Sequence, residues 1–447
     1  MLGRLLLEGY CWKVDEVAEK YRVPYGRSEL EFELPAGFDG KLLESKPLPG
    51  LTDLAGSIRA ALRDPVNSPR LAELAKHGMK IAIVVTDVTR ACPDYLLVPP
   101  LLDELAAAGV PDRDIAIVVG IGLHRPSTPD DWQEKLGPEV PRRIRIVNPR
   151  PTDPEHLVDL GVTAGGVPIV VNRTVCEADL VVATGIVEPH QYAGYSGGRK
   201  TVAIGAGSEP IVQMTHGPQF VEHPKVRLGQ VEGNPFHEAV TEIAERAGLR
   251  LILNVVVNEA KEIVSVRAGE PRTALLELIG VAREMYTVPI LGPADVAIAG
   301  VGYPKDSSLY QATRAASYLY FAPKPVVREG GVIIVPARAE EGAGAGLGEQ
   351  RFYEMLRDAP SPSALVEDVR ANGYKAGGQR GFVMAKVLEH CDVVIVGAEE
   401  PQLVRDLKMV PAATMAEALD YARSRVGPSA LAYVVPHALL TLPVVEN

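Results

Sequence analysis

Several features that would settle a protein's class at once are scarce or missing here. The 447 residues hold four cysteines, Cys11, Cys92, Cys176 and Cys391, with no CxxC spacing. That count fits neither a disulfide frame nor a zinc knuckle, so reduced thiols in a cytoplasmic protein are expected. No apolar run approaches the ~20 residues of a membrane span. The opening stretch MLGRLLLEGYCWKVDEVAEKY lacks the long apolar core and cleavage site of a secretion signal. Aromatics make up only 5%, and two are tryptophan, Trp12 and Trp132. Basic residues are outnumbered 46 to 57, for a net charge of −11. A general nucleic-acid surface is thereby disfavoured, and neither nucleic acid nor membrane is an expected partner. Phosphate-loop fingerprints are also missing. There is no GxxxxGK[ST], and GAG at 205–207 is too short for a dinucleotide motif.

What is present is β-branched runs alternating with helical patterns. KIAIVV (80–85), DIAIVVGIG (114–122), DLVVATGIV (179–187), LILNVVVN (251–258), DVAIAG (295–300), GVIIVP (331–336) and DVVIVG (392–397) read as buried strands. Near-continuous Val/Ile, without polar alternation, is the mark of a parallel sheet covered on both faces. VPPLLDELAAAGV (98–110) reads as a helix stopped by glycine. NPFHEAVTEIAERAG (234–248) has Asn234 as N-cap, Pro235 at the first position and Gly248 as the stop. ELEFEL (29–34) alternates like a half-exposed strand. The expected fold is α/β: a larger N-terminal α/β domain (1–280) with a mostly parallel sheet, a smaller C-terminal α/β domain (281–447), and the active site in the cleft between them. Pro289, Gly292 and Pro293 interrupt the pattern near that boundary. The last strand, ALAYVVP, fits either domain, and EEGAGAGLGE (340–349) reads as a mobile loop.

The informative polar residues follow the strands. Thr86, Asp87, Thr89 and Arg90 come after the first, His124 and Arg125 after the second, and EPHQYAGYSGGRK (188–200) after the third. VGYPKDSSLYQATR follows DVAIAG. Ligands of open α/β sheets bind beyond the carboxyl ends of strands, so these loops point to one site. Taken singly, each has an ordinary reading: a Thr/Asp-capped helix start, a structural histidine, a plain turn. Taken together, they suit limited chemistry. Imidazoles of His124 and His190 on opposite faces of a substrate could move a proton off one side and onto the other. A desolvated Lys200 can be a nucleophile. His216, without a cysteine or carboxylate cluster beside it, could be the one protein ligand of a metal already held by an organic cofactor. In SSLYQATRAASYLY, 100° per residue groups Leu309, Ala312, Thr313, Ala316 and Leu319 on one face. Tyr310, Gln311 and Arg314 fall on the other, where Arg314 could read a carboxylate bidentately.

These ordered motifs, PYGRSELEFELP, TDVTRACP, GLHRP, EPHQYAGYSGGRK, THG and GYPKDSSLYQATR, resemble those of the nickel-pincer-dependent lactate racemase family across most of residues 22–320. The resemblance implies an isomerase, a racemase or epimerase of a 2-hydroxy acid. Its cofactor would be nickel in pyridinium-3,5-bisthiocarboxylic acid mononucleotide, loaded by cofactor-biosynthesis enzymes. Lys200 would tether that nucleotide, and His216 would be the fourth ligand of a square-planar nickel. His124 and His190 would be the acid/base pair. Thr86, Asp87, Arg90 and the loop Ser196, Gly197 and Gly198 would lie around the cofactor and its phosphate. Tyr310, Gln311, Arg314 and Arg380 are the expected substrate contacts.

Two departures bear on the substrate. Arg314 stands where the family's lactate enzymes place a lysine, three residues after Gln311. The segment GGQRGFVMAKV (377–387) lacks the family's tryptophan and offers Arg380. A substrate larger or more polar than lactate is therefore expected, such as malate, 2-hydroxyglutarate or an aldonate. Two rivals make different predictions. A nicotinamide-dependent 2-hydroxy acid dehydrogenase would show net redox turnover without nickel, and the absent GxGxxG speaks against it. A non-catalytic nickel-cofactor binding protein would need neither His124 nor His190.

Overall fold

The computed structural model describes residues 20–446 apart from Ala376 and the side chain of Leu347. Cys11, Trp12 and the N-terminal apolar stretch lie outside the described residues. The chain forms two six-stranded sheets. The first runs in the order Ile263–Gly269, Leu249–Val257, Leu180–Ile186, Ile81–Thr86, Ile115–Gly120, Arg145–Val147. All its pairings are parallel except the antiparallel edge of 263–269 on 249–257. The second, wholly parallel, is Val410–Ala412, Asp392–Val396, Val327–Pro336, Ala294–Ala299, Ala430–Val435, Phe38–Leu42. The Val/Ile strands are buried on both faces, as their composition requires.

The lobes are not a simple division of the chain. The strand Phe38–Leu42 pairs with Ala430–Val435, so the N-terminal arm completes the second sheet. Tyr21, Val23 and Phe32 of the preceding hairpin pack against Val296, Ile298 and Val434 of that sheet. The last strand candidate thus belongs to the second sheet. The expected break after residue 280 falls inside the helix Pro271–Tyr286, which packs on the first sheet, and the chain crosses between lobes at 287–293 instead. The helix expected at 98–110 spans Asp94–Ala107, because Val110 already turns toward the next strand. The expected loop at 340–349 ends in a helix, Leu347–Asp358, opened by a capping contact from Glu349 to the Gly346 N–H. Asn234 caps its helix as read, accepting from Phe236 and His237 N–H.

Strand order reverses in the first sheet between 81–86 and 180–186, and in the second between 294–299 and 430–435. Crevices form where the connections diverge at such points. The loops after Ile81–Thr86, Leu180–Ile186 and Ala294–Ala299 carry motifs named above, and side chains link the two lobes. Ser317 Oγ donates to Gln191 Oε1 at 3.2 Å, Tyr374 OH donates to the His216 carbonyl, and Arg370 pairs with Glu222.

Candidate active site

The 86–93 loop rests on a buried carboxylate. Asp94 accepts from Thr86 Oγ1 (2.7 Å), Thr184 Oγ1 (2.5 Å) and Cys92 Sγ (3.4 Å), and pairs with Lys135 Nζ at 3.2 Å. Lys135 also donates to the Arg90 and Cys92 carbonyls at 2.8 and 2.6 Å. A buried ammonium and carboxylate hold only when paired and hydrogen-bonded, as both are here. This support presents Asp87 to the next loop. His124 Nδ1–H donates to Asp87 Oδ2 at 2.6 Å, and Thr89 Oγ1 donates to Oδ1 at 2.7 Å. Burial pushes the Asp87 carboxyl up, but the His124 bond and charge outweigh it and hold it below the usual range. The neighbouring Arg125 is clamped by Asp131, whose helix Pro129–Leu136 also carries Lys135.

The third loop folds back as a two-residue hairpin, Pro189–His190 against Gly194–Tyr195. His190 is half-buried there, and its Nδ1 accepts the Tyr192 and Ala193 N–H groups at 3.2 Å each. Burial, then the charges of Lys200, Arg90, His216 and Arg314, hold this imidazole well below its ordinary pKa. Ser196 Oγ closes the turn, donating to the Ile186 carbonyl at 2.6 Å and accepting from Glu188 N–H at 3.1 Å. Gly197 adopts φ +138°, and the loop lies hard on the sheet. A Cβ on Gly185 would come within 2.6 Å of the Gly198 nitrogen. The glycines are thus explained by close packing. Lys200 follows, its amine brought down to about 7 by burial first and by Arg90 second, against Glu188 and Asp87.

His216 ends the helix Glu209–Thr215. Its Nδ1–H donates to the Val212 carbonyl at 3.1 Å and lies 3.1 Å from Thr215 Oγ1, so Nε2 keeps its lone pair. Burial, with Lys200 second, lowers it to about 3, and a neutral imidazole is the ligand form. Its ring meets Tyr192 and Phe236 edge-on at 4.9 and 5.2 Å. Among the described residues there is no group of three His, Cys, Asp or Glu able to hold a metal. The Nε2 lone pair of His216 can serve as a single metal donor, and the near-neutral amine of Lys200 can act as a nucleophile.

From the second lobe, Leu309–Ala312 and Arg314–Tyr320 form two short helices with the apolar face buried as read. Arg314 reaches Gln311 Oε1 (3.4 Å) and Tyr318 OH (3.2 Å). Arg380, 7% exposed, donates to Ser317 Oγ at 2.9 Å and lies 5.6 Å from the Tyr310 ring. Lys305, in the loop after Ala294–Ala299, feels Arg314, Arg90 and Glu188; burial first, then those two arginines, lowers it to about 8.

The structure brings His190, Lys200, His216, Asp87, Arg90 and Arg314 close enough for their charges to act on one another, and His124 joins them through Asp87. Three expected cofactor contacts have other occupations: the Thr86 hydroxyl serves Asp94, the Ser196 hydroxyl serves its own turn, and the Asp87 carboxylate orients His124. Arg380 is tied through Ser317 to Gln191, beside His190. Sequence reasoning passed over Lys305, although it stood in a quoted motif at the carboxyl end of a strand. It also passed over Asp94 and Lys135, whose meaning depends on a contact between distant segments.

Comparison with known proteins gives two family matches: Lactate racemase N-terminal domain over residues 25–229 and Lactate racemase C-terminal domain over 291–442. The chain is 30% identical to the lactate racemase of Thermoanaerobacterium thermosaccharolyticum, over 93% of this chain and 96% of that one. It is 32% identical to the lactate racemase of Lactiplantibacillus plantarum, over 86% and 89%. The structure of the Thermoanaerobacterium lactate racemase apoprotein superposes with a TM-score of 0.84, at 30% identity, over 96% of this chain and all of that one. A Thermotoga maritima protein shares the fold at 18% identity and a TM-score of 0.62.

Proposed function

The chain belongs to the lactate racemase family, and on that premise we propose that it racemises or epimerises a 2-hydroxy acid larger or more polar than lactate, using a lysine-tethered nickel-pincer nucleotide. One observation carries the reading. Lys200, with a near-neutral amine, and His216, with a free Nε2, lie near enough to His190 for their charges to act on it, and His124 is bonded to Asp87, whose charge reaches Lys200.

Lys200 would hold the nucleotide through its amine, and His216 Nε2 would complete the nickel coordination. When bound, the cofactor supplies a reversible hydride acceptor, the chemistry that protein side chains lack. The protein's part is position and proton transfer. His124, oriented by Asp87, takes the substrate hydroxyl proton at Nε2, and His190 faces the substrate from the other loop. Arg90, Lys200, Lys305, Arg314 and Arg380 make no ion pair with any described carboxylate. Such a cluster, opposed chiefly by Glu188, suits several negative charges: a cofactor phosphate, the substrate carboxylate and a further anionic or polar group. That surplus supports malate, 2-hydroxyglutarate or an aldonate over lactate.

The test uses full-length protein coexpressed with the cofactor-biosynthesis enzymes. Intact mass and nickel analysis should show an adduct that is lost in Lys200→Ala. Chiral chromatography over a 2-hydroxy acid panel should show racemisation or epimerisation, with a polar or larger acid preferred. Lactate as best substrate would sink the substrate assignment. An adduct without turnover of any acid would favour a binding role, and net turnover with NAD would favour a dehydrogenase.

A further inference from the structure

Gln191 follows His190 directly, and its side chain reaches from the first lobe to the second. It is 5% exposed, and its Oε1 accepts from Ser317 Oγ at 3.2 Å. Ser317 Oγ in turn accepts from Arg380 Nη1 at 2.9 Å. Arg380 stands 5.6 Å from the Tyr310 ring, and Arg314 begins the helix that carries Ser317. The amide is thus bracketed by Tyr310, Arg314 and Arg380, three side chains expected to meet the substrate. Its other end is idle: Gln191 Nε2 has no hydrogen-bond partner among the described residues. A buried amide end without a partner forfeits its hydration and gains nothing in return, so it marks a place where a further polar group is received.

We propose that Gln191 selects the substrate through a hydrogen bond to a hydroxyl on its third carbon, so that the preferred acid is a 2,3-dihydroxy acid. The proposal rests on the function given above and names the polar group that the substrate carries. Three features support it. His190 faces the reacting second carbon, and the next residue along the turn is placed to meet the neighbouring carbon. Ser317 and Arg380 hold the amide from behind, which fixes it before substrate arrives and lowers the entropic cost of the contact. The third feature is the choice of a hydroxyl. Ser317 has one hydroxyl proton and two acceptors in reach, Gln191 Oε1 at 3.2 Å and the Arg314 carbonyl at 3.0 Å. When the proton goes to Arg314, the amide can turn over, setting Nε2–H on Ser317 Oγ and Oε1 on the far side. A hydroxyl both donates and accepts, so it satisfies the far end in either arrangement. A carboxylate satisfies it in only one, and an alkyl group in neither.

The test uses full-length protein loaded by coexpression, with the adduct verified by intact mass. Two pairs of acids differ by the hydroxyl on the third carbon: glycerate against 2-hydroxybutyrate, nearly equal in size, and tartrate against malate. Each is titrated calorimetrically and assayed for racemisation or epimerisation by chiral chromatography. The hydroxylated member of each pair should be preferred by about 10- to 100-fold in Kd and in kcat/KM. Gln191→Leu should bring both ratios below about 3-fold, chiefly by weakening the hydroxylated member, and Gln191→Met, which keeps the side-chain length, should do the same. A purely structural role would weaken both members of a pair equally and lower Tm; that result overturns the proposal, as does a preference that survives both substitutions. The binding arm separates this proposal from the one it rests on. If no acid is racemised or epimerised, the racemase reading fails, while the Kd ratios still decide for or against Gln191. Binding of none of the four acids overturns both.

Discussion

Replacing Lys135 by methionine offers a sharp test of how the site is held. The substitution keeps most of the side-chain volume but removes three contacts: the pair with Asp94 at 3.2 Å and the bonds to the Arg90 and Cys92 carbonyls at 2.8 and 2.6 Å. Asp94 is fully buried and would be left as an unpaired carboxylate. Breaking a buried pair by removing one partner costs about 3–5 kcal/mol. Thr86 and Thr184 still donate to Asp94, which places the expected loss near the lower end, about 3 kcal/mol. Asp94→Asn alone should also destabilise. The double variant should lose less than the two singles combined, by roughly 1–2 kcal/mol, because it leaves no orphaned charge. Urea unfolding of all four proteins measures this, with Trp132 on the same helix as a fluorescent reporter. Because the loop also carries Asp87, which orients His124, kcat should fall about 10–10²-fold in Lys135→Met. A cost under about 1 kcal/mol, or strict additivity of the singles, would refute the claim that this pair braces the loop.

Three further outcomes are expected. The Lys200 amine, lowered to about 7, should react with an acylating reagent at half its maximal rate near pH 7; intact mass against Lys200→Arg reads this, and a midpoint near 10 would contradict it. Gly185→Ala sets a Cβ 2.6 Å from the Gly198 nitrogen, so it should displace the 197–200 loop, destabilise by more than the ~1–3 kcal/mol of ordinary overpacking, and abolish adduct formation at Lys200. His237 is lowered to about 3 by burial first and Arg199 second. The unfolded chain binds a proton there below about pH 6.5 that the folded chain refuses down to about 3, so stability falls as pH drops through that window. His237→Gln should flatten the slope in acid-unfolding curves.

Much of this protein was legible as text. Strands such as Ile81–Thr86 and Leu180–Ile186 declare themselves because burial on both faces demands an unbroken β-branched run. The Asn234 cap is visible because its chemistry is local, as is the placement of His124 and His190 just past strand ends. Contacts between distant segments were not legible. Nothing in FDGKL announces that it completes the second sheet beside Ala430–Val435, since an edge strand is defined by its neighbour. The hydroxyls of Thr86 and Ser196 look like phosphate ligands until Asp94 and Ile186 claim them. Lys305 enters the site only because the second lobe folds over the first. Residue types thus fix which chemistry is available, while the fold decides which lone pair or proton each histidine presents, because that depends on whether a carboxylate, a carbonyl or a backbone N–H lies behind the ring.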